Sequence, residues 1–344
     1  MALPPIRLSD DFKAAWTELR RRTEAGAVAD VKSYMWDKWA KDFPTDASPE
    51  DVLARAFQAN QNRGYNFLDA AEDQSMRVRT ERARLRLRSA ATRLVERAAT
   101  RLWHYNARSP RLKHLKSYPR VEPLMHKLGL WNDYVPACAA LGVSHESFNT
   151  AKLFYVSSVV AANVPAGAKR LRVLEIGAGT GVLSVFLRTR LDIRQYAIVD
   201  IPEMMLQSSL VVRRFFPDAP LAFSHAAGGE TPLPEEGAAF VVPDDAGVLP
   251  SDAFDVCLNI DSFQEMDRDQ VHGYWALIRR VVKPCGLVVT VNRRKQLREF
   301  DNNPLLYPYG DSDVLRWEVD PFFYEGLGRV RKDAHLLRIE RARK

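Results

Sequence analysis

Apolar residues in the first 150 positions recur at helical spacing. Residues 9–25 begin with Ser-Asp-Asp, a sequence that favours a helix start, and continue with apolar residues among basic ones. Residues 49–60 begin with a proline and two acidic residues, which suit the first turn of a helix. A further helix is predicted from about residue 145 through HESFNTAKLFYVSSVVAANV. We therefore expect a helical N-terminal domain over residues 1–150. Such a domain either covers the site where the acceptor of a reaction binds or mediates oligomerisation.

The segment 76–105 alternates at its start, as a strand would, but its full length follows a helical period. Its apolar residues form one helical stripe, and most of its arginines fall on the opposite side. The stripe consists of Ala83, Leu87, Ala90, Ala91, Leu94, Val95, Ala98 and Leu102, and the opposite side carries Arg79, Arg82, Arg86, Arg93, Arg97 and Arg101. We predict one long amphipathic helix, whose basic face is either solvated or a surface for a partner, an anionic lipid or an acidic substrate.

After residue 165 the pattern changes to short apolar runs that alternate with helical segments. The runs RVLEI and QYAIV are each followed by a segment of helical spacing, and this alternation is typical of βαβ units with a parallel sheet. Further strands are predicted at 221–224, 239–242, 254–260, 286–292 and in the C-terminal HLLRIERAR, with a helix at 267–282 and a loop at 231–237. The sequence thus predicts an α/β domain over residues 151–344.

Composition adds one feature to this picture, a localised positive charge. The 344 residues are 46% hydrophobic and 27% charged, which excludes a wholly disordered, collagenous or disulfide-scaffold chain. The net charge is +7, and residues 77–101 alone, with nine arginines and two glutamates, carry a net charge of the same size. Because the rest of the chain is balanced, any inference about nucleic acid concerns that segment alone.

The cysteines and the apolar runs indicate a compartment. Cys138, Cys257 and Cys285 are far apart and form no metal or redox motif, which fits a reducing environment. The start of the chain lacks the pattern of a secretory signal, and no stretch approaches the roughly 18 apolar residues that a transmembrane helix requires. We expect a cytoplasmic protein without a transmembrane segment.

A glycine-rich turn follows the first predicted strand. In LRVLEIGAGTG, residues 171–181, Gly177, Gly179 and Gly181 stand at a spacing of two and a helix follows. Glycines permit unusual backbone dihedrals and close approach of a ligand, and ligands of such sheets lie where strand order reverses. A dinucleotide-binding turn would require its third glycine at position 182, which is Val182. The spacing therefore disfavours a dinucleotide, while a glycine turn in some other α/β fold stays an alternative.

With Glu175 before the glycines, this turn resembles motif I of the class I S-adenosylmethionine-dependent methyltransferases. The resemblance implies a Rossmann-like methyltransferase sheet, with the turn against the amino-acid part of S-adenosylmethionine. It also implies that the second strand ends in an acid that binds the ribose hydroxyls. Asp200 fits, because it ends the strand YAIV, 23 residues after Gly177. The cofactor-binding residues implied in this way are Glu175, Gly177, Ala178, Gly179, Gly181, Asp200, Ile201 and Asn259.

Three further segments are similar to signatures of the sugar O-methyltransferases. They are Asp-Ile-Pro-Glu at 200–203, Asn-Ile-Asp-Ser-Phe-Gln-Glu-Met at 259–266 and Val-Asn-Arg at 291–293. The resemblance covers roughly residues 145–300 and departs from the family pattern at Asp261, where a threonine or an Asn-like residue is usual. It implies an acceptor hydroxyl on a sugar or glycan precursor, as in bacterial cell-surface polysaccharide pathways.

Two carboxylates, Asp261 and Glu265, follow the predicted strand at 254–260. If a helical turn begins there, their spacing of four places both on one face, next to the transferable methyl group. A protonated hydroxyl is a poor nucleophile, so a base, or a metal that acidifies the hydroxyl, is expected. Asp261 is the first candidate for base or metal ligand, and Glu265 positions the acceptor or is a second ligand. Alternatively, Glu265 caps the following helix and Asp261 only ends the strand. A divalent metal is not favoured, because two carboxylates alone make an incomplete magnesium site.

Other polar and aromatic residues complete the candidate site. His225 follows the third predicted strand and is a candidate for an adenine contact or an alternative base, although a lone histidine is more often structural. Gln264, Asn292 and Arg293 are predicted to bind the acceptor, with structural hydrogen bonding as the alternative for the last two. Tyr307 lies in a loop rich in proline and tyrosine and either offers an aromatic face to a sugar or packs in the core.

The function predicted from these residues is methyl transfer from S-adenosylmethionine to an oxygen of a small-molecule or saccharide acceptor. The rivals are O-methylation of a natural product, methylation of nucleic acid and a cofactor-binding module without catalysis. Nucleic acid is disfavoured because residues 259–262 do not follow the D/N-P-P-Y/F pattern of amino-group methylases. We therefore expect no sequence-specific nucleic-acid partner, and a homo-oligomer is left open.

Overall fold

One eight-stranded sheet organises the part of the chain that the structure describes. The computed structural model describes residues 9–24, 121–224, 233–293, 303–327 and 335–343. The strands are β1 (Leu171–Ile176), β2 (Ile193–Val199), β3 (Leu221–Phe223), β4 (Gly237–Val241), β5 (Phe254–Ile260), β6 (Val282–Arg293), β7 (Ser312–Val319) and β8 (His335–Ala342). They lie in the order β3-β4-β2-β1-β5-β6-β8-β7.

Helices connect these strands and precede them. They are α1 (Asp10–Glu24), α2 (Val121–Lys127), α3 (Trp131–Leu141), α4 (Phe148–Asn163), α5 (Val182–Arg188), α6 (Pro202–Phe215), α7 (Arg268–Val281) and α8 (Pro321–Leu327). Local sequence fixes several of their starts. Ser147 accepts a hydrogen bond from the backbone N–H of Thr150 at the start of α4. Asp267 and Gln270 form a capping box at the start of α7.

Strand direction determines where a ligand crevice forms. β1 to β6 run parallel, whereas β8 is antiparallel to both of its neighbours, β6 and β7. The strand order reverses at β1, which has β2 on one side and β5 on the other. In open α/β sheets a crevice opens at such a reversal, beside the carboxyl ends of the strands. This order confirms the predicted α/β fold class with a Rossmann-like sheet.

Both faces of the central strands are buried, which explains their continuous apolar runs. Val173 on β1 packs into the cluster formed with the helices from α1 to α6, and its neighbour Leu174 packs into a second cluster with α7. Both side chains are fully buried. Successive side chains of a strand point to opposite faces, so a strand covered on both sides loses the polar half of its alternation.

The described N-terminal helices share the core of the sheet. Trp16 of α1 donates a hydrogen bond from Nε1 to the carbonyl of Leu206 in α6, at 3.2 Å. Phe12, one turn earlier, lies 6.1 Å from Phe223 of β3, ring centre to ring centre. The domain boundary at residue 150 stays a prediction. Within the described ranges no helix is both long enough and apolar enough to cross a membrane.

Most of the predicted elements are confirmed. The helices at 9–25 and 267–282 correspond to α1 and α7, and the predicted strands correspond to β1–β6 and β8. The predictions for 49–60 and 76–105 lie outside the described residues. The predicted C-terminal strand is β8, but β7 and α8 were not predicted. β7 is exposed on both faces, so its sequence has no period-two alternation to detect.

Candidate functional site

The glycine turn lies between β1 and α5 and is shaped by close packing on two of its glycines. Gly177, Gly179 and Gly181 have φ values of +72°, +55° and +76°. A Cβ at Gly177 would overlap the side chain of Ser262, and one at Gly181 would lie 2.9 Å from Cβ of Ser208. At Gly179 a Cβ would meet no atom of the described residues within 4 Å. The first and third glycines therefore allow the turn to pack, while the middle one leaves open space beside the backbone.

Asp200 follows β2 and is bound to the glycine turn. Its Oδ2 accepts a hydrogen bond from the N–H of Gly179 and its Oδ1 accepts one from the N–H of Ile201, both at 2.8 Å. Burial raises the pKa of Asp200 to about 7, although these two hydrogen bonds favour the ionised form. Each carboxylate oxygen can accept a further hydrogen bond. The carboxylate is thus held at the point where the strand order reverses, ready for a second donor.

A pocket opens beside Asp200 and the glycine turn. Its walls are mostly apolar and include a few polar groups. The residues lining it are Gly177, Val199, Asp200, Ile201, Pro243, Ser262, Met266, Gln270 and Tyr274. The hydroxyl of Ser262 is buried and has no hydrogen-bond partner among the described residues. An apolar pocket with a fixed carboxylate and an unsatisfied hydroxyl is suited to a ligand that combines an aromatic ring with hydroxyl groups.

Glu175 has its partner inside the protein. Its Oε2 accepts a hydrogen bond from the hydroxyl of Tyr196 at 2.6 Å, and both side chains are buried. Burial raises the pKa of Glu175 to about 7. The structure does not bring Glu175 into the lining of the pocket described above. Ala178 contributes a backbone contact within the turn, because its carbonyl accepts a hydrogen bond from Gly181 at 3.0 Å.

A chain of buried amides holds the segment after β5 against the sheet. Asn259 donates from Nδ2 to the carbonyl of Ile176 at 2.9 Å and accepts at Oδ1 from Nδ2 of Asn292, also at 2.9 Å. Asn292 in turn accepts from the N–H of Gln264 at 3.2 Å, and Gln264 accepts from the N–H of Arg293 at 2.7 Å. The structure therefore places the Asn292 amide and the Gln264 carbonyl oxygen in internal hydrogen bonds, where we expected acceptor contacts.

Asp261 lies directly after β5 in the left-handed region, with φ of +61°, which is uncommon for a residue with a side chain. Its Oδ2 accepts a hydrogen bond from Nζ of Lys152 at 2.7 Å. Nε2 of His335 lies 3.2 Å from the other oxygen, Oδ1, which is buried. The His335 ring is stacked on Phe323 at 3.6 Å. Burial alone would raise the pKa of Asp261, but Lys152 and His335 hold that pKa well below its usual range.

Glu265 lies in a different electrostatic environment. It ends a 3-10 turn, Phe263–Glu265, so the helical turn begins two residues after Asp261. Burial and the charge of Asp261 raise the pKa of Glu265 to about 7, against the opposing charges of Lys152 and Arg293. The alternative that Glu265 caps the following helix is wrong, because Asp267 is the N-cap of α7. The two carboxylates therefore differ sharply in acidity.

The other predicted site residues are His225, Arg293 and Tyr307. His225 lies outside the described residues. Arg293 is half-buried at the end of β6. Tyr307 is buried against Phe263, with ring centres 5.8 Å apart, and its hydroxyl has no partner in the part of the chain that the structure describes. In the described part of the chain, no three His, Cys, Asp or Glu side chains come together as a metal site requires.

Two residues of the site were missed from the sequence. Lys152 belongs to α4, 109 positions before Asp261, and His335 is the first residue of β8, directly opposite Arg293 of β6. The signal for Lys152 was available, since it is the one charge in the apolar segment AKLFYVSSVVAA. A cation within a buried helix requires a partner. No local signal marks His335, because its position depends on how β8 pairs with β6.

Comparison with protein-family models and with curated proteins gives no match. Solved structures similar to the chain include the [4+2]-cyclase SpnF, with 16% identity over 58% of this chain and 83% of that one, at a TM-score of 0.39. An S-adenosylmethionine-dependent methyltransferase from Mesorhizobium loti has 14% identity over 54% and 96%, at a TM-score of 0.36. The 1,6-didemethyltoxoflavin-N1-methyltransferase of Burkholderia thailandensis, bound to 1,6-didemethyltoxoflavin and S-adenosylhomocysteine, has 16% identity over 56% and 78%, at a TM-score of 0.39. Similarities this low assign no function to the chain.

Proposed function

We propose that this chain is an S-adenosylmethionine-dependent methyltransferase that acts on a hydroxyl oxygen of a sugar or glycan precursor. The observation that carries the proposal is the Asp200 carboxylate, fixed by the backbone N–H groups of Gly179 and Ile201 where the strand order reverses. Residues 175–181 resemble motif I of the class I methyltransferases, and that resemblance implies that the second strand ends in an acid that binds the ribose hydroxyls.

The residues around Asp200 fit the chemistry of the cofactor. Asp200 would accept the ribose hydroxyls, and the turn from Gly177 to Gly181 would receive the amino-acid part, next to the open space at Gly179. The unsatisfied hydroxyl of Ser262 and the ring of Tyr274 provide a donor and an apolar wall for the rest of the molecule. When bound, the cofactor supplies an electrophilic methyl group on a sulfonium centre.

Glu265 is the better candidate for the base that takes the proton of the acceptor hydroxyl. A general base works best when its pKa lies near the pH of the reaction, and the pKa of Glu265 is about 7. Asp261, our first candidate from the sequence, is bound to Lys152 and has a pKa well below the usual range, so it is a weak proton acceptor. In this proposal Asp261 and Lys152 position the turn that carries Glu265.

The assignment to oxygen rests on two considerations. A sugar hydroxyl is a weak nucleophile, and the half-buried carboxylate of Glu265, with its raised pKa, supplies the proton acceptor that such a group needs. The segments at 200–203, 259–266 and 291–293 are similar to those of sugar O-methyltransferases. The cations of Lys152 and Arg293, which act on the charge of Glu265, give the site a polar character suited to a saccharide.

Calorimetry with S-adenosylhomocysteine tests the cofactor assignment. Asp200→Ala removes the carboxylate that would accept from the ribose hydroxyls. A total loss of roughly 1.5–3 kcal/mol, the size of one hydrogen bond to a charged group, weakens binding by about tenfold to over a hundredfold. Asp192→Ala is the matched control, since Asp192 is exposed at the opposite end of the same strand. Equal affinity of the wild type and a folded Asp200→Ala variant would discard the assignment.

A transfer assay tests the acceptor. The wild type is incubated with methyl-labelled S-adenosylmethionine and a panel of nucleotide sugars, glycans and amine-bearing small molecules. We expect label on a sugar oxygen, located by NMR of the product. Transfer confined to amines, or to oxygens of non-saccharide compounds, refutes the sugar assignment while leaving the cofactor assignment intact.

A further inference from the structure

β7 is an edge strand whose large apolar side chains face solvent. It closes one end of the sheet and is eight residues long, whereas β3 at the other end has three residues. Val314, Leu315, Trp317 and Val319 keep 47%, 43%, 45% and 40% of their surface exposed. Proteins normally protect edges by making them short, charged or covered, because an apolar edge pairs readily with another strand.

The middle of β7 is complementary to itself. Arg316 and Glu318 lie on the same face of the strand and form an ion pair with each other, with Trp317 between them. When two copies of one strand pair antiparallel about a two-fold axis, the residue on the axis lies opposite its own copy. An axis at Trp317 places Arg316 opposite Glu318 of the second copy, and the same contact occurs twice. An axis at Arg316 or Glu318 would instead bring like charges together, which is destabilising.

Trp317 is held in a position that suits such pairing. The guanidinium of Arg338 lies 4.4 Å from the centre of its ring, and Tyr309 lies 5.6 Å away, edge to face. These contacts fix one face of the indole and leave 45% of the residue exposed. The bulge in β7 falls between Val314 and Arg316, so the segment from Arg316 onward pairs with β8 in unbroken register.

We propose that β7 pairs antiparallel with β7 of a second copy of this chain, with the two-fold axis at Trp317, and that the protein is a homodimer with one continuous sheet. The inference does not depend on the proposed function. Three strands separate β7 from β1 in the sheet, so the crevice at β1 stays accessible in the dimer.

Charge exchange within the full-length chain tests the register. Arg316→Glu and Glu318→Arg each place like charges opposite one another twice, and we expect either change to raise the dimer dissociation constant roughly tenfold or more. The double exchange R316E/E318R restores the opposite pairing and is expected to restore the dimer. Arg170→Glu is the control, since Arg170 belongs to an exposed ion pair with Glu236, away from β7. Sedimentation equilibrium gives the association constants, and circular dichroism verifies that each variant is folded.

A cross-link provides a second test of the same geometry. Cys285 is the exposed cysteine among the described residues, whereas Cys138 and Cys257 are buried. In a Cys285→Ser background, Trp317→Cys is expected to give a disulfide-linked dimer on mild oxidation, because its two copies lie directly opposite. Val319→Cys is the control, since its copies lie on opposite sides of the axis and too far apart to link.

Four outcomes overturn the proposal. A wild type that is monomeric at all accessible concentrations overturns the proposal, and one possible cause is that residues 25–120 of the same chain cover β7. A dimer that tolerates both single exchanges also overturns it, because that dimer forms elsewhere. Equal weakening by the single and double exchanges shows that Arg316 and Glu318 do not face each other across the two-fold axis. Equal cross-linking of the Trp317→Cys and Val319→Cys variants shows that the two-fold axis does not lie at Trp317.

Discussion

The ion pair of Lys152 with Asp261 connects the stability of the fold to the acidity of the site. Lys152→Met removes the charge while keeping most of the length and apolar stem of the side chain. Asp261 then loses the hydrogen bond to its Oδ2 and keeps only His335 beside Oδ1. The same substitution at Lys283 is a matched control. Lys283 binds Asp255 at 2.6 Å, compared with 2.7 Å for Lys152 and Asp261, but it is more exposed.

Burial sets the expected difference between the two substitutions. The side chains of Lys152 and Asp261 are 13% and 20% exposed, whereas those of Lys283 and Asp255 are 40% and 26% exposed. Breaking a fully buried ion pair costs roughly 3–5 kcal/mol, because a charge is left without compensation. Since the first pair retains some contact with water, we expect Lys152→Met to lower the free energy of unfolding by about 2–3 kcal/mol. Lys283→Met is expected to cost about 0–1 kcal/mol.

The pH dependence of this loss follows from the direction of the pKa shift. The folded pKa of Asp261 is lowered, so its stabilisation is fully present above the unfolded pKa of about 3.9 and disappears as the pH falls through the folded value. The difference in unfolding free energy between wild type and Lys152→Met should therefore be constant near neutral pH and shrink below about pH 4. Urea unfolding at several pH values measures it. A loss no larger than that of Lys283→Met would refute the assignment of a buried pair.

Three further expectations follow from the site. Glu265→Gln should lower turnover by roughly 10²–10⁴-fold with near-normal S-adenosylhomocysteine affinity, and unchanged turnover in a steady-state assay rules out Glu265 as the base. The wild-type rate should rise with pH through about 7, as Glu265 loses its proton, and the Gln variant should lack this step in its pH–rate profile. Gly181 has a φ of +76°, and a Cβ there would lie 2.9 Å from Ser208, so Gly181→Ala should lower the free energy of unfolding by roughly 2–4 kcal/mol. Gly129→Ala is the control, because a Cβ at Gly129 meets no described atom within 4 Å, and it should cost about 1–2 kcal/mol. Equal losses contradict the packing argument.

The sheet could be predicted from the sequence because its central strands are covered on both faces. A run such as RVLEI has no polar alternation, and only a strand buried on both sides, or a buried helix, tolerates that. The short length of this run and the glycines that follow it indicate a strand rather than a helix. β7 was not predicted for the opposite reason. The described residues leave both of its faces exposed, so no burial constraint shapes its sequence.

The relative roles of the two carboxylates could not be predicted from their spacing. Four residues apart, Asp261 and Glu265 are equivalent candidates if a regular helical turn contains both. The structure breaks that equivalence with a left-handed Asp261 and a 3-10 turn that starts two residues later. Their acidity then depends on residues remote in sequence. Lys152, 109 positions earlier, lies on Asp261, while Glu265 has Asp261 itself as its negative neighbour. Two carboxylates with pKa values driven apart in this way are suited to different tasks, one to hold a cation in place and one to exchange a proton.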